Sequence, residues 1–577
     1  MEIKRALVLT AIAVVTYMMI LAWQRDYGQL PVVADSPVSE QLAPAAELPT
    51  IANDEAVPEA SEIPTAAPSE LGVTAAQIPE VAVMEDERLI HISTDVFQLE
   101  IDRLGGDIVR IALPQYPLHA ETPNQPFLLM QRNSGNKYIA QSGLIGPNGT
   151  DSASGRPTWQ ADQKNYRLGK NDNELNVDLT LQQSAGVTLI KRYTFEPSSY
   201  LIRISHIVRN NGDEQWQGAL YGQVRRDSAD DPSGSKAGFV PMPTYLGAAY
   251  WASDKAYNKL PFKDIKKESL KTVQDAGWIA MIQHYFLSAW IPDRLQKHTY
   301  SATWLSVTDE YLLRFVSPVV SVAPGSEQAL YAEFYAGPKQ QDVLESISPG
   351  LSMTVDYGWL WFLSQPIFAV LIFLQSGHIT LFGASFDLGI GVGNWGVAII
   401  LLTLLLKALF FKLSASSYRS MAKMRKAAPE MARIRELHKN DKQKQQMETM
   451  KLFQEQKINP LGGCLPVIVQ MPVFISLYYV LLESVELRQA SFLYLTDLSI
   501  MDPWFILPLL MGASMWFQMS LNPAPADPTQ AQVMKWMPVV FSVFMLWMPS
   551  GLVLYWLTNN LLSIAQQWVI TRKIENE

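Results

Sequence analysis

The chain has 577 residues, 48% of them hydrophobic and 18% charged, with a net charge of −9 and a mean hydropathy of +0.03. A single core rarely grows beyond about 300 residues, so at least two domains are expected, and the near-neutral hydropathy fits neither an ordinary soluble enzyme nor a bundle of membrane helices throughout. The single cysteine, Cys464, excludes an intramolecular disulfide framework and a cysteine-based metal cluster.

At the N-terminus, Lys4 and Arg5 precede an apolar run over 6–23, the flank and length of a signal sequence or a short membrane helix. The residues after it, Gln24, Arg25, Asp26 and Tyr27, lack a small-x-small cleavage pattern, so residues 1–23 read as an uncleaved anchor. The positive charges put its N-terminus in the cytoplasm and send the chain beyond residue 23 to the outside. Residues 26–87 contain no Lys or Arg but carry eight prolines among Ala, Glu, Asp and Ser. Such a segment buries too little apolar surface to offset its ordering entropy, and 24–87 is expected to be a disordered, acidic, extended tether.

The pattern changes near residue 88. Phe97, Leu99 and Ile101 alternate with Gln98, Glu100 and Asp102, then Gly105 and Gly106 offer a turn before Val109, Ile111 and Leu113 share a face. The same period of two recurs over 175–181 and 192–208, the latter ahead of the Asn211 and Gly212 turn signal. Residues 88–345 are therefore expected to form a large antiparallel β-sandwich. Its histidines (His91, His119, His206, His284 and His298) are scattered, and neither G-x-S-x-G nor H-E-x-x-H occurs, so the pattern points to no catalysis and no metal.

Long apolar runs begin after residue 355. The first, 359–374, is short, opens on Trp359 and Trp361 and contains Gln365 and Pro366, so 355–376 is expected to lie in the membrane interface as an amphipathic helix. Residues 394–413 form a better span, followed by a loop over 412–457 with twelve Lys or Arg residues, which must be cytoplasmic. Further spans are expected at 461–482, 504–521, 533–548 and 552–570, and the loop at 483–502 carries a single base, Arg488. With the anchor this makes six spans and puts both termini in the cytoplasm.

Within the basic loop, expected as a helical hairpin over 414–457, Met421, Met424, Ala428, Met431 and Ile434 recur at three- and four-residue steps, and Met447, Met450 and Phe453 come after a polar break at 438–441. One reading is a solvated basic face held by phosphate headgroups. Another is a flexible methionine strip that receives varied apolar segments, with a basic exterior able to meet ribosomal RNA.

Polar groups inside the spans are the informative residues, because hydrocarbon offers them no partners. Lys407 shares a helical face with Thr403 and Ser414; Asn559, Ser563 and Gln566 form a stripe in the last span; Gln470 and Gln518 interrupt two others. Lys407 alone is explained equally well by snorkelling to the cytoplasmic helix end, roughly 9 Å away at 1.5 Å per residue. Together the stripes favour a hydrophilic groove open to the cytoplasm. A small-solute transporter or channel with Lys407 as its anion site is the alternative, although the internal repeat usual in transporters is missing.

The stretches NWGVAII (394–400), SMAKMRK (420–426), INPLGGCLPVIVQMPVF (458–474), ESVELRQA (483–490), ILPLLMG (506–512) and PSGLVLYW (549–556) resemble those of the YidC insertases of Gram-negative bacteria. The resemblance implies a polytopic α-helical membrane protein with a large periplasmic antiparallel β-sandwich domain, and an insertase core over 394–571. It further implies an inner-membrane insertase and folding chaperone for nascent membrane proteins, working at the ribosome and in the phospholipid bilayer, alone or with the Sec translocon. No enzyme activity and no small-molecule cofactor or metal is implied. By the same resemblance the groove carries a functional positive charge at Lys407, where family members have arginine, and Tyr555 and Trp556 touch the arriving segment. Lysine keeps the charge and loses the planar bidentate fork.

Overall fold

The computed structural model describes residues 85–577 apart from 134, 153–154, 184–185, 234–243, 382–383, 388, 440, 457, 459–464, 522–527 and 577. The anchor expected at 1–23 and the tether expected at 24–87 lie outside the described residues, save for the tether's last three positions.

The alternating segments become strands of two facing sheets. One has eleven strands, in the order 270–275, 297–305, 310–316, 216–227, 136–145, 126–133, 107–117, 98–102, 89–93 and 165–167, with 320–322 pairing alongside 216–227. The other has nine, running 258–260, 247–250, 279–282, 286–292, 326–338, 201–210, 187–195, 175–182 and 160–161. Pairing is antiparallel except between 89–93 and 165–167. Gly105 and Gly106 both take positive φ (74° and 62°), which lets the first hairpin turn where a side chain would be strained. Along 201–210 the alternate residues Ile202, Ile204, His206, Val208 and Asn210 are buried, as a strand with one covered face requires.

The core lies between the sheets, around Trp290, whose ring meets Phe315 at 5.7 Å and Phe334 at 4.7 Å. Polar ties also cross it. Tyr138 Oη and Ser288 Oγ are 2.6 Å apart, and the ammonium of buried Lys191 donates to the carbonyls of Gly105, Gly106 and Ser142 at 2.7–3.1 Å. Burial pushes the Lys191 pKa down to about 7. A single helical turn, Glu85–Arg88, leads into the first strand, and two short helices complete this domain, α1 (Phe262–Lys267) and α2 (Gln341–Ile347).

Among the described residues, nine helices come after the sandwich: α3 (Trp361–Ser376), α4 (Trp395–Leu409), α5 (Phe411–Lys426), α6 (Ala428–Leu437), α7 (Lys442–Glu455), α8 (Leu465–Glu483), α9 (Ile506–Ser520), α10 (Pro528–Met545) and α11 (Ser550–Asn576). Asn394 caps α4, accepting from Val397 N–H at 3.2 Å while donating to the Ser491 carbonyl at 3.1 Å. At the start of α9 the Asp502 carboxylate, three residues ahead of the N-cap Phe505, accepts from Trp504 N–H at 2.9 Å and Leu507 N–H at 2.8 Å.

Two differences from the sequence-based expectation concern the spans. The helix expected over 394–413 breaks at Phe410, and α4 and α5 meet at 68°. Extrapolating one helical face from Thr403 and Lys407 to Ser414 fails at that break, and Ser414 sits buried on α5. Nothing in Ala408, Leu409, Phe410 and Phe411 signals the bend, since neither Gly nor Pro is present.

The other difference concerns length. Among the described residues, one helix passes both length and hydropathy tests for crossing a membrane, Gly358–Ser376, which is the stretch expected at the interface. The bent α4 and α5 pass as a pair, whereas Ile468–Glu483, Ile506–Ser520 and Gln532–Met545 are shorter apolar helices. Six spans are therefore not reached by these criteria. The physical reason in α11 is its polar content, Asn559, Asn560, Ser563, Gln566 and Gln567, which lowers the hydropathy of a helix long enough at 27 residues.

The sandwich and the helices meet at one seam. Arg488 Nη2 donates to the carbonyls of Pro117 and Leu118 at 2.8 and 3.0 Å, its guanidinium lying over the rings of Phe127 and Phe286. Buried Lys339 and Glu483 form an ion pair at 2.9 Å, and His284 Nε2 lies 2.8 Å from the Leu482 carbonyl, so that nitrogen carries the hydrogen. Burial holds the His284 pKa below the usual range and keeps the ring neutral.

Candidate functional site

The helices place the polar residues of the spans very unevenly. Lys407 on α4 donates to Ser563 Oγ on α11 at 2.6 Å, and Ser563 donates to the Asn559 carbonyl at 2.7 Å. From α8, Gln470 Nε2 reaches Asn559 Oδ1 at 2.7 Å and Tyr555 Oη at 3.2 Å. Five of the ten expected groove residues thus form one polar line across α4, α8 and α11, which the Tyr418 hydroxyl of α5, unforeseen from the sequence, joins at Ser563. No carboxylate pairs with Lys407 among the described residues.

The other five stand apart from the line. Thr403 returns its hydroxyl to the Ile399 carbonyl at 2.7 Å within its own helix. Trp556 packs edge-on against Phe474, with centroids 4.7 Å apart, and tilted against Phe541 at 5.0 Å, so its ring belongs to the packing between helices. Gln518 is half-exposed on α9, Ser414 lies beyond the helix break, and Gln566 Nε2 is buried without a hydrogen-bond partner among the described residues.

The last helix carries a second polar face that the stripe of Asn559, Ser563 and Gln566 missed. Asn560 donates to Ser514 Oγ at 3.3 Å and Gln567 Nε2 to the Leu521 carbonyl at 3.4 Å, tying α11 to α9. Asn560 and Gln567 are seven residues apart, a spacing that the sequence already displays.

In the basic hairpin, Met431 is buried with Ala427, Leu452 and Ile458, and Met424 packs against them. Those two methionines serve the hairpin's own core. Met447 is 54% exposed and Met421 and Met450 are half-buried, so the strip free to meet another chain is narrower than the sequence spacing suggests.

Outward, the helices present Leu405, Leu509, Trp516, Phe517, Val540 and Trp568, all about half exposed or more. A surface of that kind is stable against lipid and aggregates in water. An apolar helical bundle with a polar line inside it, carrying a folded β-sandwich at one end, defines the class as an integral membrane protein with a large extramembrane domain.

Residues 89–370 match the family model described as the YidC periplasmic domain, and 387–577 match that of the 60Kd inner membrane protein. The chain is 64% identical to the membrane protein insertase YidC of Alcanivorax borkumensis and 47% identical to that of Pseudomonas fluorescens, covering all of this chain and 100% and 99% of those proteins. A crystal structure of an active YidC insertase with its first transmembrane domain resolved is similar at a TM-score of 0.35 and 17% identity, covering 83% of this chain and 92% of that one. The chain belongs to the YidC family of membrane protein insertases, inner-membrane proteins with a periplasmic domain.

Proposed function

We propose that this chain receives nascent hydrophobic segments along the Lys407 line, in a wet groove open to the cytoplasm, and releases them sideways into lipid. The observation that carries the reading is the Lys407–Ser563–Asn559–Gln470–Tyr555 hydrogen-bonded line. Its cation donates to a neutral hydroxyl and meets no carboxylate among the described residues, which leaves the charge available to an acidic tail. A tail crossing roughly 30 Å of hydrocarbon would lose several kcal/mol for each unpaired backbone group, and a half-buried polar path shortens that crossing. Hydrophobic transfer then carries the segment out of the groove, and no covalent chemistry is needed.

The topology that goes with this has six spans and both termini in the cytoplasm, α4, α8, α9, α10 and α11 crossing and α3 lying in the outer interface. Charge bias supports it, with twelve bases over 412–457 against Arg488 alone over 483–502. The ends of α3 support its placement as well. The turn before α3 packs Gly358 against Tyr479 near the seam end of α8, while its last residues, Leu374 and Gln375, accept from Val392 and Gly393 just before α4 begins. Since Asn394 is tied to the 484–505 segment, both ends of α3 are held at the same side. Ribosomes at the basic hairpin and the Sec translocon beside the core are the partners that fit this reading.

Purified protein in liposomes, given a one-span substrate synthesised without other factors, tests it. Protease-protected substrate is the expected result. Solute flux without protected substrate would mean a transporter.

A further inference from the structure

A cavity of about 530 Å³ lies between α2, α3 and the 3-10 turn after α8, at the seam. Its size suits a small ligand or a lipid headgroup. The apolar wall comes from α3, through Phe362, Ala369 and Ile372, and the polar wall from Glu486, Asp342 and Gln365. Two carboxylates face it without a Lys or Arg, and His378 is the one basic side chain in the lining.

Glu486 is the unusual member. It is half-buried, its carboxylate accepts its own backbone N–H, and no cation pairs with it among the described residues. Arg488, two residues on, is turned away to the Pro117 and Leu118 carbonyls. Burial first, and then the charge of Asp342, raises the Glu486 pKa to about 7. A half-buried carboxylate with an open cavity in front of it is complementary to a cation, and the apolar flank along α3 is complementary to a chain attached to that cation.

We propose that this cavity binds an aminophospholipid of the outer leaflet, its ammonium against Glu486, its phosphate ester near the Gln365 amide and an acyl chain along Phe362, Ala369 and Ile372. The source is the membrane, because the apolar wall is a face of the interfacial helix; to that extent the inference rests on the placement of α3 given above. The lipid would supply the counter-ion that the fold withholds, and would cement the seam between sandwich and helices.

Native mass spectrometry of the full-length protein, offered equal amounts of phosphatidylethanolamine, phosphatidylcholine and phosphatidylglycerol with the same acyl chains, tests the site. The primary amine is expected to be retained at least tenfold over its trimethylated analogue. Glu486→Gln should abolish that preference, and Ala369→Trp, which fills the apolar wall and leaves both carboxylates, should lower retention of the amine. Equal retention of the three lipids, an unchanged preference in Glu486→Gln, or displacement of the lipid by a lysine-bearing peptide at lower concentration would overturn the proposal. Wild-type proteoliposomes that insert substrate without any lipid preference would sink this inference and leave the insertase reading intact. A nitroxide at position 370 reporting a depth near the bilayer centre would instead defeat the placement of α3.

Discussion

The proposed groove depends on one cation, Lys407, which donates to the Ser563 hydroxyl. Lys407→Ala should reduce insertion of substrates with acidic tails most, by about tenfold or more if an ion pair worth roughly 1.4 kcal/mol is lost, while Lys407→Arg keeps most activity. Comparison of protease-protected yields for acidic-tailed and neutral-tailed substrates checks this, and equal yields for both in Lys407→Ala would remove the role. Glu486 makes a different kind of prediction. Its folded pKa of about 7 stands above the ordinary 4.5, so between those values the folded chain holds a proton that the unfolded chain has released. Stability therefore falls as pH rises through that window, and the penalty is complete above it. In detergent free of aminolipid, Glu486→Gln should raise the melting temperature at about pH 8 and change it little at about pH 4, an ordering set by this linkage.

Between elements, the buried Lys339–Glu483 pair is the contact most easily unbalanced. Removing one partner by Glu483→Gln or Lys339→Met strands the other charge and should cost about 3–5 kcal/mol, whereas the double variant regains most of it. Melting temperatures of the three variants decide between a pair that matters and two independent surface charges. This pair also shows where the sequence stopped being informative. Its members are 144 residues apart, and no period or motif links a strand end in the sandwich to the end of a membrane helix. Helices, strands and their order were legible, because alternation at 97–101 and apolar runs near 470 and 555 are local signals. Lys407 and Ser563 were each legible as polar residues in apolar runs, but their mutual contact needs α4 and α11 to be packed together. Ser414 was misplaced because a bend without Gly or Pro leaves no local trace. In the sandwich, Trp290→Ala should lose about 3–5 kcal/mol, as expected for emptying a site between Phe315 and Phe334, and chemical denaturation followed by near-ultraviolet circular dichroism would register it.

Across the whole molecule, one contiguous apolar core runs from the sandwich into the helices, and the polar ties of Arg488 and of the Lys339–Glu483 pair reinforce it at the seam. Deleting 30–340 removes Lys339 and the carbonyls that hold Arg488, so the remaining chain should melt earlier yet still insert substrate. Adding Glu483→Gln to the deletion should recover part of the lost stability, because it removes the charge left behind. Loss of insertion in the stabilised deletion would assign the sandwich a direct part in the reaction.

Placed as proposed, with both ends fastened to the same side, α3 gives the molecule a waterline. A helix lying along the outer surface in that way, pinned at Gly358 and at Leu374, would fix depth from that surface alone. In that arrangement the proposed spans α4 and α9 have 15 residues each, roughly 22 Å at 1.5 Å per residue against a hydrocarbon core of about 30 Å. With the outer level held, the whole shortfall would fall at the inner leaflet, beneath the mouth of the proposed groove. Membrane thickness would then become a control on how far an arriving segment must travel, applied on the side from which it comes.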